Sequence, residues 1–283
     1  MTRREWLTKA EQRLEAAGIA DAAWDAFSLL SHVTGISRLD YSLEPAKHIE
    51  EEKEGILAEA LAKREARIPL QQITGQAWLM GYPFFVNADV LIPRMDTEVL
   101  IEAVLERCGR EHFKKDGISV LDLCTGSGCI LISLMKEDPA IAGTGSDISE
   151  KALLVAEKNA KALQVAPRFI KSDLFEHIKG RYDVIVSNPP YIASGVIAGL
   201  DPEVKDHEPL LALDGGEDGL DLYRRILKEA GDHLHKGGLL AFEIGYDQGE
   251  ALRRLFYQHD FTGVEIIKDL AGLDRVALGF LKE

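Results

Sequence analysis

Apolar residues recur every three or four positions through the first seventy residues, which is the period of a helix with one buried face. Trp6, Leu7, Ala10 and Leu14 form the first stripe, and Gly18 is placed to end it in a left-handed conformation. Asp21 can cap a second helix that carries Trp24, Phe27, Leu30 and Val33 and stops near Gly35. A third helix is expected from about Ala46 to Ala66, its acidic run from Glu50 to Glu54 forming a solvated face.

From about residue 69 the pattern changes to glycine, proline and aromatic residues with strand-like runs, among them FFVNADVLI, which reads as a hairpin linker. Asp96 then stands where it can cap the helix TEVLIEAVLERC. After residue 118, apolar runs alternate with helical stretches. The runs ISVLDLC, AGTGSDI, RFIKSD, YDVIVSNPP, GLLAFEIG, VEIIKD and RVALGFLKE are seven candidate strands, and only the short GLD link separates the last two. Such alternation predicts an α/β fold: a seven-stranded, mostly parallel, Rossmann-like sheet with an antiparallel edge hairpin. The expected division is a small helical N-terminal domain over 1–70, a β-hairpin linker over 71–95 and the sheet domain over 96–283.

The 283 residues are enough for two packed domains. Lys and Arg number 33 against 47 Asp and Glu, a net charge of −14, and residues 1–75 carry 10 basic and 13 acidic side chains. An acidic chain without a basic recognition domain disfavours direct contact with nucleic acid. No run of apolar residues approaches a membrane span and the N-terminus lacks an apolar signal core, so a cytoplasmic chain with no membrane partner is expected. Three cysteines without a CxxC pair argue against a disulfide frame or a zinc site, and no metal is expected.

Three strand tips carry candidate chemistry. Leu123 leads into Cys124-Thr125-Gly126-Ser127-Gly128 and then a helix, so a glycine-rich turn and free N–H groups are offered to a ligand. Alone, that turn is equally compatible with a tight strand–helix connection, and it lacks the third glycine of the dinucleotide fingerprint. Asp147 ends the next strand, placed to accept hydrogen bonds from ribose hydroxyls, although it or Ser149 could simply cap the following helix. Asp173 ends the third strand and can meet an adenine amino group, or can be a turn residue. Together these tips line one crevice suited to an adenosyl ligand.

The fourth strand ends in Asn188-Pro189-Pro190-Tyr191. Prolines remove N–H donors and fix φ, leaving carbonyl acceptors in a rigid loop. The Asn188 side-chain oxygen and the Pro189 carbonyl can take both hydrogens of a planar –NH2 group, with Tyr191 packed against its flat face. That holds a poorly nucleophilic amide or aromatic amine in line with an electrophile. His207 and Glu208, a little further on, are candidates for a peptide channel or for structural loop residues. His233 and His235 read as solvent-facing residues at a helix end.

DLCTGSG, Asp147, Asp173 and NPPY together resemble the class I S-adenosylmethionine-dependent methyltransferases that act on amino nitrogens. More closely, the whole chain is similar to the peptide chain release factor glutamine methyltransferases, the HemK/PrmC family. LIPRMDTE (Leu91 to Glu98), HEPLLAL (His207 to Leu213) and DGGEDGLDLYRRI (Asp214 to Ile226) carry that closer likeness. The resemblance implies methyl transfer from S-adenosylmethionine to the side-chain amide of the glutamine in the Gly-Gly-Gln motif of class I release factors, leaving S-adenosylhomocysteine. It places the methionine end of the cofactor on Cys124, Thr125, Gly126, Ser127 and Gly128, the ribose on Asp147, and the adenine on Asp173 and Leu174. Asn188, shared with the cofactor, Pro189, Pro190 and Tyr191 would hold the glutamine, with Asn188, Pro189 and Tyr191 carrying the catalysis. A monomer acting on a protein partner is the implied assembly. The family pattern reads PRPDTE and DLGTGSG, so Met95 and Cys124 are departures.

Two rival readings stand beside this one. A DNA adenine-N6 or ribosomal RNA guanine-N2 methyltransferase uses similar loops on exocyclic amines, and the acidic charge weighs against it. A non-catalytic S-adenosylmethionine-binding module would keep the fold without the intact NPPY.

Overall fold

The computed structural model describes residues 1–109 and 117–283. Its contacts divide the chain into one unit of residues 1–76 with 201–207, and a second of 77–200 with 208–283.

The first unit is helical: α1 (Arg3–Ala16), α2 (Ala22–Thr34), α3 (Arg38–Leu43), α4 (Glu51–Glu65) and α5 (Leu70–Thr74). A capping box at Thr2 and Glu5 starts α1, whose Trp6, Ala10 and Leu14 are buried. Gly18 and Gly35 adopt positive φ after α1 and α2. The buried face of α2 is Ala22, Asp25, Ala26, Leu29 and Leu30, not the stripe expected through Trp24 and Phe27. Trp24 stays 59% exposed, and it and Phe27 flank the Arg38 guanidinium at 4.7 and 4.5 Å. Asp21 makes no capping hydrogen bond. The third expected helix begins five residues late. Residues 47–49 are instead held extended against the N-terminus, through Arg3 N–H to the Lys47 carbonyl and Ile49 N–H to the Met1 carbonyl.

A two-stranded hairpin follows, β1 (Gln76–Leu79) and β2 (Tyr82–Phe85), all but Gln76 in the second unit. The expected strand run stops at Phe85, because the Asn87 and Asp89 side chains close a turn with Asp89 N–H on Asn87 Oδ1 at 3.0 Å. α6 (Thr97–Cys108) follows. Asp96 does not cap it; its backbone is already helical and its carboxylate pairs with Arg275 at 3.2 Å.

All seven expected strands are present: β3 (Ile118–Leu123), β4 (Ile141–Asp147), β5 (Arg168–Lys171), β6 (Tyr182–Ser187), β7 (Leu234–Glu243), β8 (Phe261–Lys268) and β9 (Asp274–Leu281). They form one sheet in the order β5-β4-β3-β6-β7-β9-β8, with β9 antiparallel to both its neighbours and the rest parallel. The reversal of strand order between β3 and β6 opens the crevice at the carboxyl ends of the strands. α7 (Cys129–Glu137) and α8 (Glu150–Ala162) follow β3 and β4, α9 (Ser194–Ile197) and α10 (Pro202–Lys205) lie in the long connection after β6, and α11 (Asp221–His233) and α12 (Gly249–Gln258) flank β7. Two apolar cores cover the faces of the sheet, one joining Phe84, Leu100, Ile101, Leu131 and Val184, the other Leu123, Ile185, Tyr223, Phe242 and Phe256. His233 departs from its expected exposure: it is half-buried and stacks on Phe175 with centroids 4.5 Å apart.

Candidate functional site

The turn after β3 is held by neighbours on every side. Ser146 of β4 accepts the Thr125 N–H through its carbonyl at 2.9 Å, and Asp147 Oδ2 accepts the Gly126 N–H at 2.9 Å. The amide of Asn159, buried on α8, donates to the carbonyls of Ser127 and Phe85. Cys124, Gly126 and Gly128 all take positive φ, at 57°, 54° and 78°. Gly128 caps α7, and a Cβ there would lie 2.9 Å from Ile132 and 3.1 Å from Ala156, so only glycine fits.

Asp147 uses its other oxygen to accept the Ser149 N–H at 2.8 Å, while Ser149 itself caps α8. Burial pushes its carboxyl above the usual range, against the pull of the Ser149 and Gly126 amides. Asp173, beyond β5, pairs with Arg225 of α11 at 2.8 Å. Leu174 follows at φ 48°, its carbonyl taking the Ser172 hydroxyl at 2.8 Å.

One cavity gathers these pieces. Cys124 to Ser127, Asp147, Asp173, Leu174, Asn188 and Pro190 line it, together with Thr97 and Arg94. Gly128, Pro189 and Tyr191 do not. Pro189 is buried, and the Tyr191 ring packs on the core while its hydroxyl points to Glu243 at 3.3 Å. The close packing behind this loop explains DGGEDG. A Cβ at Gly219 would collide with the Tyr191 carbonyl, and one at Gly215 would come within 2.8 Å of the Pro190 carbonyl. Glu208, buried, receives Arg94 Nη2 on both oxygens at 2.8 and 2.9 Å. His207 belongs to the helical unit, where its carbonyl accepts the Gln72 amide at 2.9 Å.

These residues fit an adenosyl ligand. The Asp147 carboxylate keeps lone pairs beyond the two backbone bonds, and a Cβ at Gly126 would meet nothing nearer than 3.9 Å, so the backbone there is open to close approach. Asp122 Oδ1, buried beneath the turn, has no hydrogen-bond partner among the described residues, although its Oδ2 takes the Thr125 hydroxyl at 2.5 Å. Burial raises the Asp122 carboxyl to about 7.

Sequence reasoning assigned no role to Asn159, Thr97, Glu243 or Gln248. Thr97 falls inside the LIPRMDTE run, and Asn159 is a polar residue on the buried face of α8, so a signal existed for these two.

Two family profiles match the chain: "PrmC N-terminal domain" over residues 5–75 and "Methyltransferase small domain" over 96–199. A release factor glutamine methyltransferase of Agrobacterium fabrum is 41% identical over 272 residues, covering 95% of this chain and 94% of that one. The protein of the same name from Cereibacter sphaeroides is 44% identical, covering 95% of each. Among solved structures, a Thermus thermophilus 16S rRNA N2 G1207 methyltransferase in complex with AdoMet and guanosine superposes with a TM-score of 0.53. It is 20% identical and covers 73% of this chain and 50% of that one, a likeness of fold.

Proposed function

Because this chain belongs to the release factor glutamine methyltransferases, we propose that it methylates the side-chain amide nitrogen of the glutamine in the Gly-Gly-Gln motif of class I release factors. The observation that carries the reading is that Asn188 opens into the same cavity as the Cys124–Ser127 turn, Asp147 and Asp173.

S-adenosylmethionine, when bound, supplies an electrophilic methyl group and is left as S-adenosylhomocysteine. Cys124 to Ser127 would hold its methionine end, with Gly128 shaping the turn behind them; Asp147 would accept from the ribose hydroxyls, and Asp173 with Leu174 would border the adenine. The Asn188 side-chain oxygen, at the cavity wall, accepts an amide hydrogen of the glutamine, and Pro189, buried behind it, keeps Asn188 in place. Pro190 and Tyr191 keep that loop rigid. An amide nitrogen held in this way is fixed in one orientation, and the Asn188 oxygen would stabilise the positive charge that grows on it during methylation. The N-methylated amide cation is acidic enough to release its proton to water, so no side chain serves as base.

The helical unit recognises the protein substrate, and the enzyme works as a cytoplasmic monomer without touching nucleic acid or membrane. The test is to incubate the protein with labelled S-adenosylmethionine and a release factor, and to map the label by mass spectrometry. Label on the Gly-Gly-Gln glutamine, lost when that residue is alanine, is expected. Equal labelling of both proteins, or a preference for duplex DNA, overturns the reading.

A further inference from the structure

We propose that Glu243, the last residue of β7, is a positioning residue for the acceptor loop, its carboxylate holding the Tyr191 hydroxyl on one oxygen and the Thr97 hydroxyl on the other. The proposal rests on the assignment of Asn188–Tyr191 as the glutamine site.

Glu243 is 1% exposed. Its Oε2 accepts the Thr97 hydroxyl at 2.6 Å and its Oε1 the Tyr191 hydroxyl at 3.3 Å. Burial pushes its carboxyl up, against the pull of the Thr97 hydroxyl and of Arg275, and that guanidinium is already paired with Asp269 at 3.0 Å and Asp96 at 3.2 Å. A carboxylate buried on two neutral donors is an expensive way to fill space, since burial penalises the charged form. A glutamine would occupy the same volume and could bond both hydroxyls. What only the carboxylate does is accept from both at once, so that each O–H must point inward and each side chain is fixed in one orientation.

The same strand end grips Tyr191 a second time. Gln248 donates from Nε2 to the Tyr191 carbonyl at 3.0 Å, and its Oε1 accepts the Gly245 N–H at 2.9 Å. Tyr191 is therefore tied at its hydroxyl to the last residue of β7 and at its backbone to Gln248, just beyond it. Thr97 and Asn188 line the cavity, whereas Glu243 and Tyr191 stand behind it. Glu243 thus couples the start of α6 to the acceptor loop without touching either reactant. Displacing a reacting group by about 1 Å lowers rates roughly 100-fold, and that is the displacement such a tie prevents.

The experiment compares Glu243→Gln, Tyr191→Phe and the double variant by steady-state methylation of a release factor, with cofactor affinity from calorimetry. In parallel, the protein is labelled with 3-fluorotyrosine, and the 19F resonance missing from Tyr191→Phe identifies Tyr191. Glu243→Gln is expected to keep cofactor affinity within about twofold, to lower kcat roughly 10- to 100-fold, and to shift the Tyr191 resonance in the substrate-free protein. The double variant should lose no more than the worse single variant. An unmoved resonance, wild-type kcat, or losses that multiply in the double variant would overturn the proposal. If Glu243→Gln does not fold, Tyr191→Phe cuts the same bond from the other side, and unchanged kcat there refutes the coupling. Should the glutamine assignment itself be wrong, the wild-type enzyme would leave the glutamine unlabelled while the resonance still moved.

Discussion

Asn188 reaches the cavity as the first residue beyond β6, behind a strand end anchored by the Ser187 hydroxyl on the Leu123 carbonyl at 2.7 Å. Its side chain works on the transition state more than on the bound cofactor. Asn188→Ala is therefore expected to cut kcat by roughly 10²–10³ while cofactor affinity changes little, as when one preorganised hydrogen-bond partner is removed. Calorimetry alongside single-turnover rates separates the two effects; equal losses in both would assign Asn188 to the cofactor alone. Cys124 shows why the family pattern has glycine at its position: at φ 57° any Cβ is strained, by about 1 kcal/mol. Asp122 makes a prediction about pH. Its carboxyl titrates near 7 when folded, above the unfolded value of about 4, so the native state binds the extra proton between those limits. Its contribution to stability is thus fully present below about pH 4 and is lost as pH rises to about 7. Relative to wild type, Asp122→Asn should gain stability between pH 4 and 7 and hold a constant difference above that. Denaturant titrations across this range check the sign, and a pH-independent difference would refute it.

Among the elements, the helical unit hides an ionic cluster. Arg64 is 7% exposed and donates to Asp25 at 2.7 Å and to Glu203 at 2.9 Å; Arg67 adds a second bond to Glu203 at 2.6 Å. Removing the central cation leaves a buried carboxylate uncompensated, so Arg64→Met should cost about 3–5 kcal/mol, with part recovered in Arg64→Met/Asp25→Asn. Chemical denaturation checks both; additive losses would show that Arg64 does not neutralise Asp25. None of this cluster was legible in the sequence, because Asp25 and Arg64 lie on helices whose apolar periodicity conceals a buried charge. By contrast, the seven strands were legible, since each is a run of apolar residues between turn formers, and so was the GLD hairpin. The short helix Arg38–Leu43 has no apolar stripe to announce it, and the run FFVNADVLI overstates β2 because the pattern alone does not show that Asn87 and Asp89 close a turn. At the site, the strand-tip residues could be found because glycines, acids and NPPY announce themselves locally. Glu243 and Gln248 could not, since their meaning comes from β6 and β7 lying side by side.

For the whole molecule, every residue lining the cavity falls between Asp89 and Arg225 and belongs to the second unit. A chain shortened to residues 77–283 is accordingly expected to bind S-adenosylmethionine within about threefold of the full protein. On an intact release factor its kcat/KM should fall at least roughly tenfold, because binding energy remote from the reacting atoms is lost. Calorimetry and the labelling assay measure the two quantities, and undiminished methylation would remove the helical unit from substrate recognition. A chain that began at Gly117 instead would lose too much, since Phe84, Leu100 and Ile101 are core residues and Thr97 holds Glu243.

The helical unit is not closed by its own stretch of chain, for residues 201–207 complete it. Glu203 stands 139 residues downstream of Arg64. At roughly 5–20 residues per second, a ribosome needs about 7–28 s to deliver it after Arg64 has been made. The nascent chain therefore carries five helices and an Arg64–Asp25 pair whose outer partner does not yet exist, through the synthesis of most of the parallel sheet. The N-terminal unit is first in the gene, yet it is completed only after β3 to β6 of the second unit have been made.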